Sequence, residues 1–427
     1  MQEGLMYRKS KLSNGLRIIT KRLSGVGSIS LGIWINIGGR YEPDAHKGIS
    51  HYLEHLLFKG SKKYSCRQIK ELIEGVGGAL NGFTSEELTC YLVKIPSRYL
   101  VKSLDILSDM VVSPCLKRED IKKERTVILE ELKMYRDLPQ SYVYELLDEL
   151  LWPNQAIGSP VIGTIESVKS ITRDNLSCFQ RTHYTPANIV ISASGLIDHN
   201  LLVKKVSGIF ADRDPGGLNA FTAVREFQDK QQLKIFHKTT EQTHMALGFH
   251  GLKRDHPLRH AQALLHIILG ANMSSRLFNE VREKRGLAYE IGSGLKRYHD
   301  TGAFLVHAGI DNHKVLPCLE LIFKELGKAK NRLVTADEFR RAKEFYMGQL
   351  MLALEDTMEY MLWMGESMAC LDKVYTLEDV VREVNKVTIE DLQKVARKIF
   401  KREKINLALI GPLEKEKKRI YSELNLG

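Results

Sequence analysis

His51 and His55 stand four residues apart with Glu54 between them, in the run His51-Tyr52-Leu53-Glu54-His55. At helical spacing the two imidazoles stack one turn apart on one face, so both ring nitrogens can reach a single ion. Glu54 falls beside them, within reach of a water that such an ion would activate. The order H-x-x-E-H is the inverse of the commoner H-E-x-x-H, and both suit a hydrolytic zinc site. Two lone histidines on a helix would ordinarily be structural; the interposed carboxylate points to hydrolysis.

A catalytic zinc usually takes three protein ligands and keeps one position open, so at least one more ligand is needed. The candidates are the acidic residues of the helical stretch 118–136: Glu119, Asp120, Glu124, Glu130 and Glu131. Glu124 and Glu131, seven residues apart, share a face, but spacing alone does not say which of the five binds metal. His46, His183, His244, His250, His256, His260 and His266 have no matching acid at ligand spacing and read as structural or surface residues. The GxG patterns at 25–27 and 75–77 are too isolated to suggest nucleotide binding.

The elements that must position these groups follow from periodicity. Residues 16–20 and 28–37 read as strands, with Ile29, Leu31, Ile33, Ile35 and Ile37 alternating with Ser30, Gly32, Trp34 and Asn36. A turn over 38–44 delivers the chain into the motif helix. A second helix is expected over 65–74, then a Gly-rich turn at 75–78 and β-rich segments at 80–84 and 89–95. Helix 118–136 carries apolar Ile121, Ile128, Leu129, Leu132 and Met134, and a β-rich run 188–195 closes the half.

Residues 212–217, with Pro215-Gly216-Gly217, and the polar run 226–232 interrupt the pattern. This gives an N-terminal domain 1–211 with the zinc motif, a linker 212–232 and a C-terminal domain 233–427. The second half repeats the first without its chemistry. Segment 245–251 mirrors the strand before the motif, and 258–270 occupies the place of the motif helix. Laying 120–131 over 338–349 without a gap pairs Ile121 with Phe339, but sets Glu124 against Ala342 and Glu131 against Gln349. The expected fold class is α+β: two homologous, duplicated α/β-sandwich domains, each a mixed or antiparallel sheet packed with helices.

The 427 residues exceed what one core usually supports, and 43% hydrophobic content is ordinary for a globular enzyme. No run approaches the length of a membrane helix and the first residues carry no apolar export core, so a soluble, cytoplasmic protein is expected. Six scattered cysteines without a C-x-x-C pair suggest neither disulfides nor a thiolate metal site. The net charge of +11 is spread among interleaved acids, without a basic tract carrying aromatics, so no nucleic-acid partner is expected.

The motif helix SHYLEHLLFKGSKK resembles that of the pitrilysin/insulinase-type zinc metallopeptidases, the inverzincins, and within them the mitochondrial-processing-peptidase-like bacterial branch. So do GGALNGFTSEELTCY, ERTVILEELKMYRD, SPVIGTIESVKSITRDNL, YTPANIVISASG and SSRLFNEVREKRGLAYE, which together span nearly the whole chain. The resemblance implies that Glu131 is the third ligand beside His51 and His55, holding one Zn2+ per chain, with Glu124 a supporting carboxylate. It implies that Arg282 and Tyr289, in VREKRGLAY, hold the substrate carbonyl, and that Asn81, Gly82, Phe83 and Thr84 form an edge strand on which a peptide lies by strand addition. Gly82 and Phe83 stand where the family varies modestly.

The resemblance then implies a metalloendopeptidase acting on unfolded peptides or leader segments, and zinc chemistry gives its mechanism. Glu54 takes a proton from the attacking water and passes it to the leaving amine, while Arg282 and Tyr289 donate to the developing oxyanion. The alternative is a non-catalytic scaffold or partner subunit of the same fold; such relatives typically lose part of the set His51, Glu54, His55 and Glu131, which is intact here. Since long family members hold twice as many domains in one chain, the resemblance implies a homodimer, or a heterodimer with a related inactive chain.

Overall fold

The computed structural model describes residues 7–424. The first six residues of the segment expected to lack an export core lie outside that range. The chain forms two compact units, and neither is a continuous stretch. The first takes the residues up to Leu132, Ser159–Thr222 and Met351–Leu377; the second takes Lys133–Gly158, Ala223–Leu350 and the residues from Glu378 onward. The sequence-based linker does contain the main crossing, between Thr222 and Ala223. However, a division at 211 and 233 omits two further segments, each of which joins the unit formed mainly by the other half of the chain.

In chain order the elements are β1 (Arg8–Lys11), β2 (Arg17–Arg22), β3 (Ser28–Ile35), α1 (Ile49–Leu57), α2 (Cys66–Ile73), β4 (Ala79–Thr84), β5 (Thr89–Pro96), α3 (Leu100–Val112) and α4 (Arg118–Asp137). Then come α5 (Pro139–Leu151), α6 (Ile165–Ser170), α7 (Arg173–His183), β6 (Ile189–Gly195), α8 (His199–Phe210), β7 (Gln232–His237), β8 (Gln242–His250) and α9 (Arg259–Gly270). A π-helical turn over Phe278–Glu283 leads to β9 (Ala288–Arg297), β10 (Gly302–Asp311), α10 (Val315–Asn331), α11 (Ala336–Ala353) and α12 (Thr357–Leu371). The chain ends with α13 (Leu377–Lys386), α14 (Ile389–Ile399), β11 (Asn406–Gly411) and α15 (Lys417–Ser422). No helix among the described residues is long and apolar enough to cross a membrane. All six cysteines are free.

The first sheet has the order β1-β2-β6-β3-β5-β4 and the second β7-β11-β8-β10-β9. Both are mixed, with one parallel pair each, β2 with β6 and β7 with β11. The expected fold class, two α/β units of like plan, is what is found.

The alternation along β3 gives it two chemically distinct faces, yet both are buried. Ile29, Leu31, Ile33 and Ile35 fill one core. On the other face Ser30 Oγ meets Thr357 Oγ1 of α12 at 2.8 Å, and the indole Nε1–H of Trp34 donates to Ser192 Oγ at 2.8 Å. Helix α12, from late in the chain, thus covers the first sheet, and α5, from the first half, covers the second with Val143, Leu146 and Leu147. An amphipathic helix must bury its apolar stripe, but its sequence does not say against which sheet. Strand β3 also stops at Ile35 rather than Ile37, because the Ile37 amide turns back to donate to the Ile35 carbonyl at 2.8 Å.

Candidate metal centre

Helix α1 begins without a side-chain cap of its own. Its N-cap, Gly48, has φ of 90°, and a Cβ there would come within 2.5 Å of the Ile162 carbonyl oxygen. The left-handed backbone and the close approach both require glycine. The orphan amides of the first turn are met instead by Glu42, whose carboxylate accepts from Gly48 N at 2.6 Å and Ser50 N at 2.7 Å. Burial lifts the Glu42 pKa to about 7, opposed by those two amides. With its start fixed in this way, α1 buries Tyr52, Leu53, Leu56 and Leu57 and presents His51, Glu54 and His55 together.

Helix α4 supplies the partner face. Ile121, Glu124, Ile128 and Leu132 are its buried residues, and the Tyr52 hydroxyl donates to the Ile121 carbonyl, tying α1 to α4. Of the five acidic candidates, Glu131 is the one whose carboxylate lies within 4 Å of both histidines. Its Oε2 lies 3.6 Å from His55 Nε2 and 3.9 Å from His51 Nε2. The donor atoms of His51, His55 and Glu131 all fall within 4.8 Å of one another, the single such trio among the described residues. Glu124, two turns earlier, accepts from His55 Nδ1 at 3.2 Å and takes Lys59 Nζ at 2.7 Å on its other oxygen.

This donor set fits a zinc ion. Ligands about 2.1 Å from a tetrahedral ion lie about 3.4 Å apart, close to the His55–Glu131 separation. With the Nδ1 hydrogen of His55 given to Glu124, the Nε2 lone pair is left facing Glu131, the arrangement by which outer carboxylates orient ligating imidazoles. His51 is kept neutral: burial, and then the neighbouring His55, depress its pKa to about 4. Burial raises the pKa of Glu131, with His55 opposing. Three groups desolvated together, with Lys59 engaged on Glu124, leave a place where a cation is favoured.

Glu54 points to the same region but belongs to a different interaction. Strand β4 lies at the edge of its sheet and pairs with β5 alone. Its residues alternate, with Asn81 and Phe83 exposed and Gly82 and Thr84 turned inward. Phe83 packs edge-on to Trp34, with ring centroids 5.7 Å apart. Gly82 faces the Phe58 ring, and the Thr84 hydroxyl donates to Glu54 Oε2 at 2.6 Å. Burial raises the Glu54 pKa; Thr84 and His55 lower it and Glu131 adds to the rise.

In the second unit Arg282 lies in the π-helical turn, its guanidinium 4.9 Å from the Phe278 ring centroid and 5.3 Å from that of Tyr289. Tyr289 is 74% exposed on β9, which is the edge strand of the second sheet.

Sequence reasoning missed Lys59, Glu42 and the bond from Thr84 to Glu54. Lys59 carried a signal, standing four residues after His55. The other two depend on turns and strand placement that no periodicity encodes.

The geometry can be set beside known proteins. Residues 17–165 match the model of the family described as "Insulinase (Peptidase family M16)", and residues 170–346 match "Peptidase M16 inactive domain". An uncharacterized zinc protease of Streptomyces coelicolor is 38% identical over 97% of this chain and 92% of its own length. One of Bacillus subtilis is 36% identical over 95% of this chain and 98% of its own. Among solved structures, a protease from Helicobacter pylori superposes with a TM-score of 0.89 at 24% identity, covering 96% of this chain and all (100%) of that one.

Proposed function

The chain belongs to the insulinase family of peptidases, family M16, and on that premise we propose that it is a zinc-dependent endopeptidase cleaving unfolded peptides or leader segments. The observation that carries this is the trio His51, His55 and Glu131, with Glu54 beside it, assembled from two separate helices. Bound there, zinc would supply Lewis acidity, activating water and polarising the scissile carbonyl. Glu54, one residue before a ligand, is placed to accept the water's proton and return it to the departing amine. Glu124 and Lys59 hold His55 in the ligating tautomer.

The free edge of β4 offers backbone groups to an extended peptide, a mode that favours unfolded substrates over particular sequences. Arg282 and Tyr289 are assigned to the substrate carbonyl and the developing oxyanion. The working unit is a dimer, of identical chains or with a related inactive one.

The test is cleavage of a quenched fluorescent peptide library by the purified chain and by Glu54→Gln, with bound zinc measured on both. Loss of a general base costs about 100- to 10,000-fold, so the variant should hold zinc and lose cleavage by that factor. Equal rates in both proteins would remove Glu54 from the mechanism. Zinc-loaded wild type without cleavage would turn the reading to the scaffold or to a missing partner chain.

A further inference from the structure

Glu54 sits among groups that give it little help. It is half-buried in α1, with the buried aromatic Tyr91 and the thiol of Cys90 nearby on β5, and the carboxylate of Glu131 across from it. Among the described residues its carboxylate makes one side-chain hydrogen bond, from Thr84 Oγ1 at 2.6 Å. A carboxylate on a flexible three-torsion side chain reaches its reacting position only if something fixes it. Threonine is suited to this, since its branched Cβ holds χ1 in few rotamers and so aims the hydroxyl.

Thr84 is also well anchored. It is the last residue of β4, paired directly with Thr89 of β5, and its strand neighbours on the same face, Leu80 and Gly82, are turned inward as well. Gly82 presses on the ring of Phe58, the C-cap of α1; a Cβ there would lie 3.0 Å from Phe58 Cζ. The edge strand and the helix carrying Glu54 are therefore in contact at two points, one of shape and one of hydrogen bonding.

We propose that Thr84 is a positioning residue for the reaction: its hydroxyl fixes the Glu54 carboxylate at the end of the strand on which the peptide would lie. The proposal deepens the peptidase reading above and rests on it. Thr84 then serves through its side chain while the strand's backbone edge remains available to substrate. A peptide pairing with that edge would stiffen the strand that holds the base, so the contact matters most once substrate is bound.

The test compares wild type, Thr84→Val and Thr84→Ser in the full-length, zinc-loaded chain, with steady-state cleavage, zinc content and crystal structures of each. Valine keeps the shape and deletes the donor; serine keeps the donor and deletes the methyl. The expected result is a fall in kcat of about tenfold or more for Thr84→Val, with KM and zinc content within about twofold of wild type, and recovery of most of kcat in Thr84→Ser. In the structures Glu54 should hold its position in wild type and Thr84→Ser and shift in Thr84→Val.

Unchanged kcat in Thr84→Val would overturn the proposal, and so would a rise in KM alone, which would make Thr84 a substrate contact. Damage in Thr84→Ser with Thr84→Val like wild type would assign the effect to the methyl group and refute the hydroxyl's role. Should wild type show no Glu54-dependent cleavage, the peptidase reading fails separately. The structures then still decide the hydroxyl's role, because a Glu54 unmoved in Thr84→Val, or a Thr84 hydroxyl turned away in the zinc-loaded wild type, refutes it.

Discussion

The two units share a sheet plan, β2-β6-β3-β5-β4 in one and β7-β11-β8-β10-β9 in the other, and differ in what their helices carry. In the first, α1 and α4 bring His51, His55, Glu124 and Glu131 together. In the second, α9 and α11 hold the corresponding places in the chain order, and α11 has Ala342 and Gln349 where α4 has Glu124 and Glu131. Ala342 instead lines a cavity of about 960 Å3, along whose wall Arg276 pairs with Glu338 at 2.7 Å. The sheet and its helices thus stand without the carboxylate ligands. Burial lowers the pKa of His51 in the first unit and of His260 and His266 in the second alike, so the sharper contrast is between carboxylates: Glu54 and Glu131 are lifted by burial, while Glu338 is held down by Arg276.

The largest effect expected follows directly. Glu131→Gln should lose bound zinc, from one ion per chain to near none at micromolar protein, and peptide cleavage with it. Gln349→Glu in the second unit should gain no second ion. A second zinc in elemental analysis of Gln349→Glu would break the contrast, since it would show that the second unit keeps a latent site.

A second comparison concerns the covering helices. In the first unit a Cβ on Gly365 of α12 would lie 2.0 Å from Trp34 Nε1 and 2.6 Å from Ser192 Oγ. In the second, a Cβ on Gly248 of β8 would lie 3.0 Å from Leu147 Cδ1 of α5, a side chain that can give way. Gly365→Ala should therefore cost about 3 kcal/mol and Gly248→Ala about 1 kcal/mol, within the range for overpacking, as read by urea unfolding. Equal losses would mean that both helices relax alike.

These helices also mark where the sequence stops being legible. The strands expected at 28–37 and 89–95 and the helix at 118–136 were visible from their own apolar and β-rich patterns, to within two residues of the observed Ser28–Ile35, Thr89–Pro96 and Arg118–Asp137, and the motif helix from the spacing of its histidines. The site was visible as His51, Glu54 and His55, since their spacing is local. Glu131 was one of five acids by spacing, and only the packing of α4 on α1 separates it from Glu124. The exchange of α5 and α12 was invisible, because Val143 or Met361 declares a need for burial without naming a partner. The same limit hid Glu42, whose carboxylate caps a helix six residues away through a turn.

A smaller effect is expected at Glu124. Glu124→Gln keeps its shape and a weaker acceptor for His55 Nδ1, while giving up the charge that holds Lys59. Outer-shell changes of this kind typically cost about 10- to 100-fold in metal affinity or activity. Zinc competition with a chelator should register that drop while the fold is unchanged. An effect as large as that of Glu131→Gln would make Glu124 a ligand in its own right.

The smallest effect separates the units by the sign of their pH dependence. In the second unit the bond from Arg276, aided by the Thr335 amide, holds Glu338 down to about 2 against burial. A carboxylate lowered on folding stabilises the protein fully above its unfolded value near 4.5 and loses that contribution as pH falls toward 2. With one-fifth of the Glu338 side chain exposed (20%), the pair should contribute about 2 kcal/mol, so Glu338→Gln is weaker than wild type by that amount at pH 7 and the gap closes below pH 4.5. In the first unit Glu131 is raised on folding, which reverses the sign. In metal-free protein Glu131→Gln should be the more stable form at pH 7, and its advantage should fade as pH falls through the raised folded value toward 4.5, by which point the wild-type carboxyl has taken up its proton. Adding zinc should invert that order at pH 7, since only the wild type can bind the ion with all three donors. Urea unfolding of both variants across pH 3 to 7, with and without zinc, distinguishes a carboxylate kept for the fold from one kept for the ion.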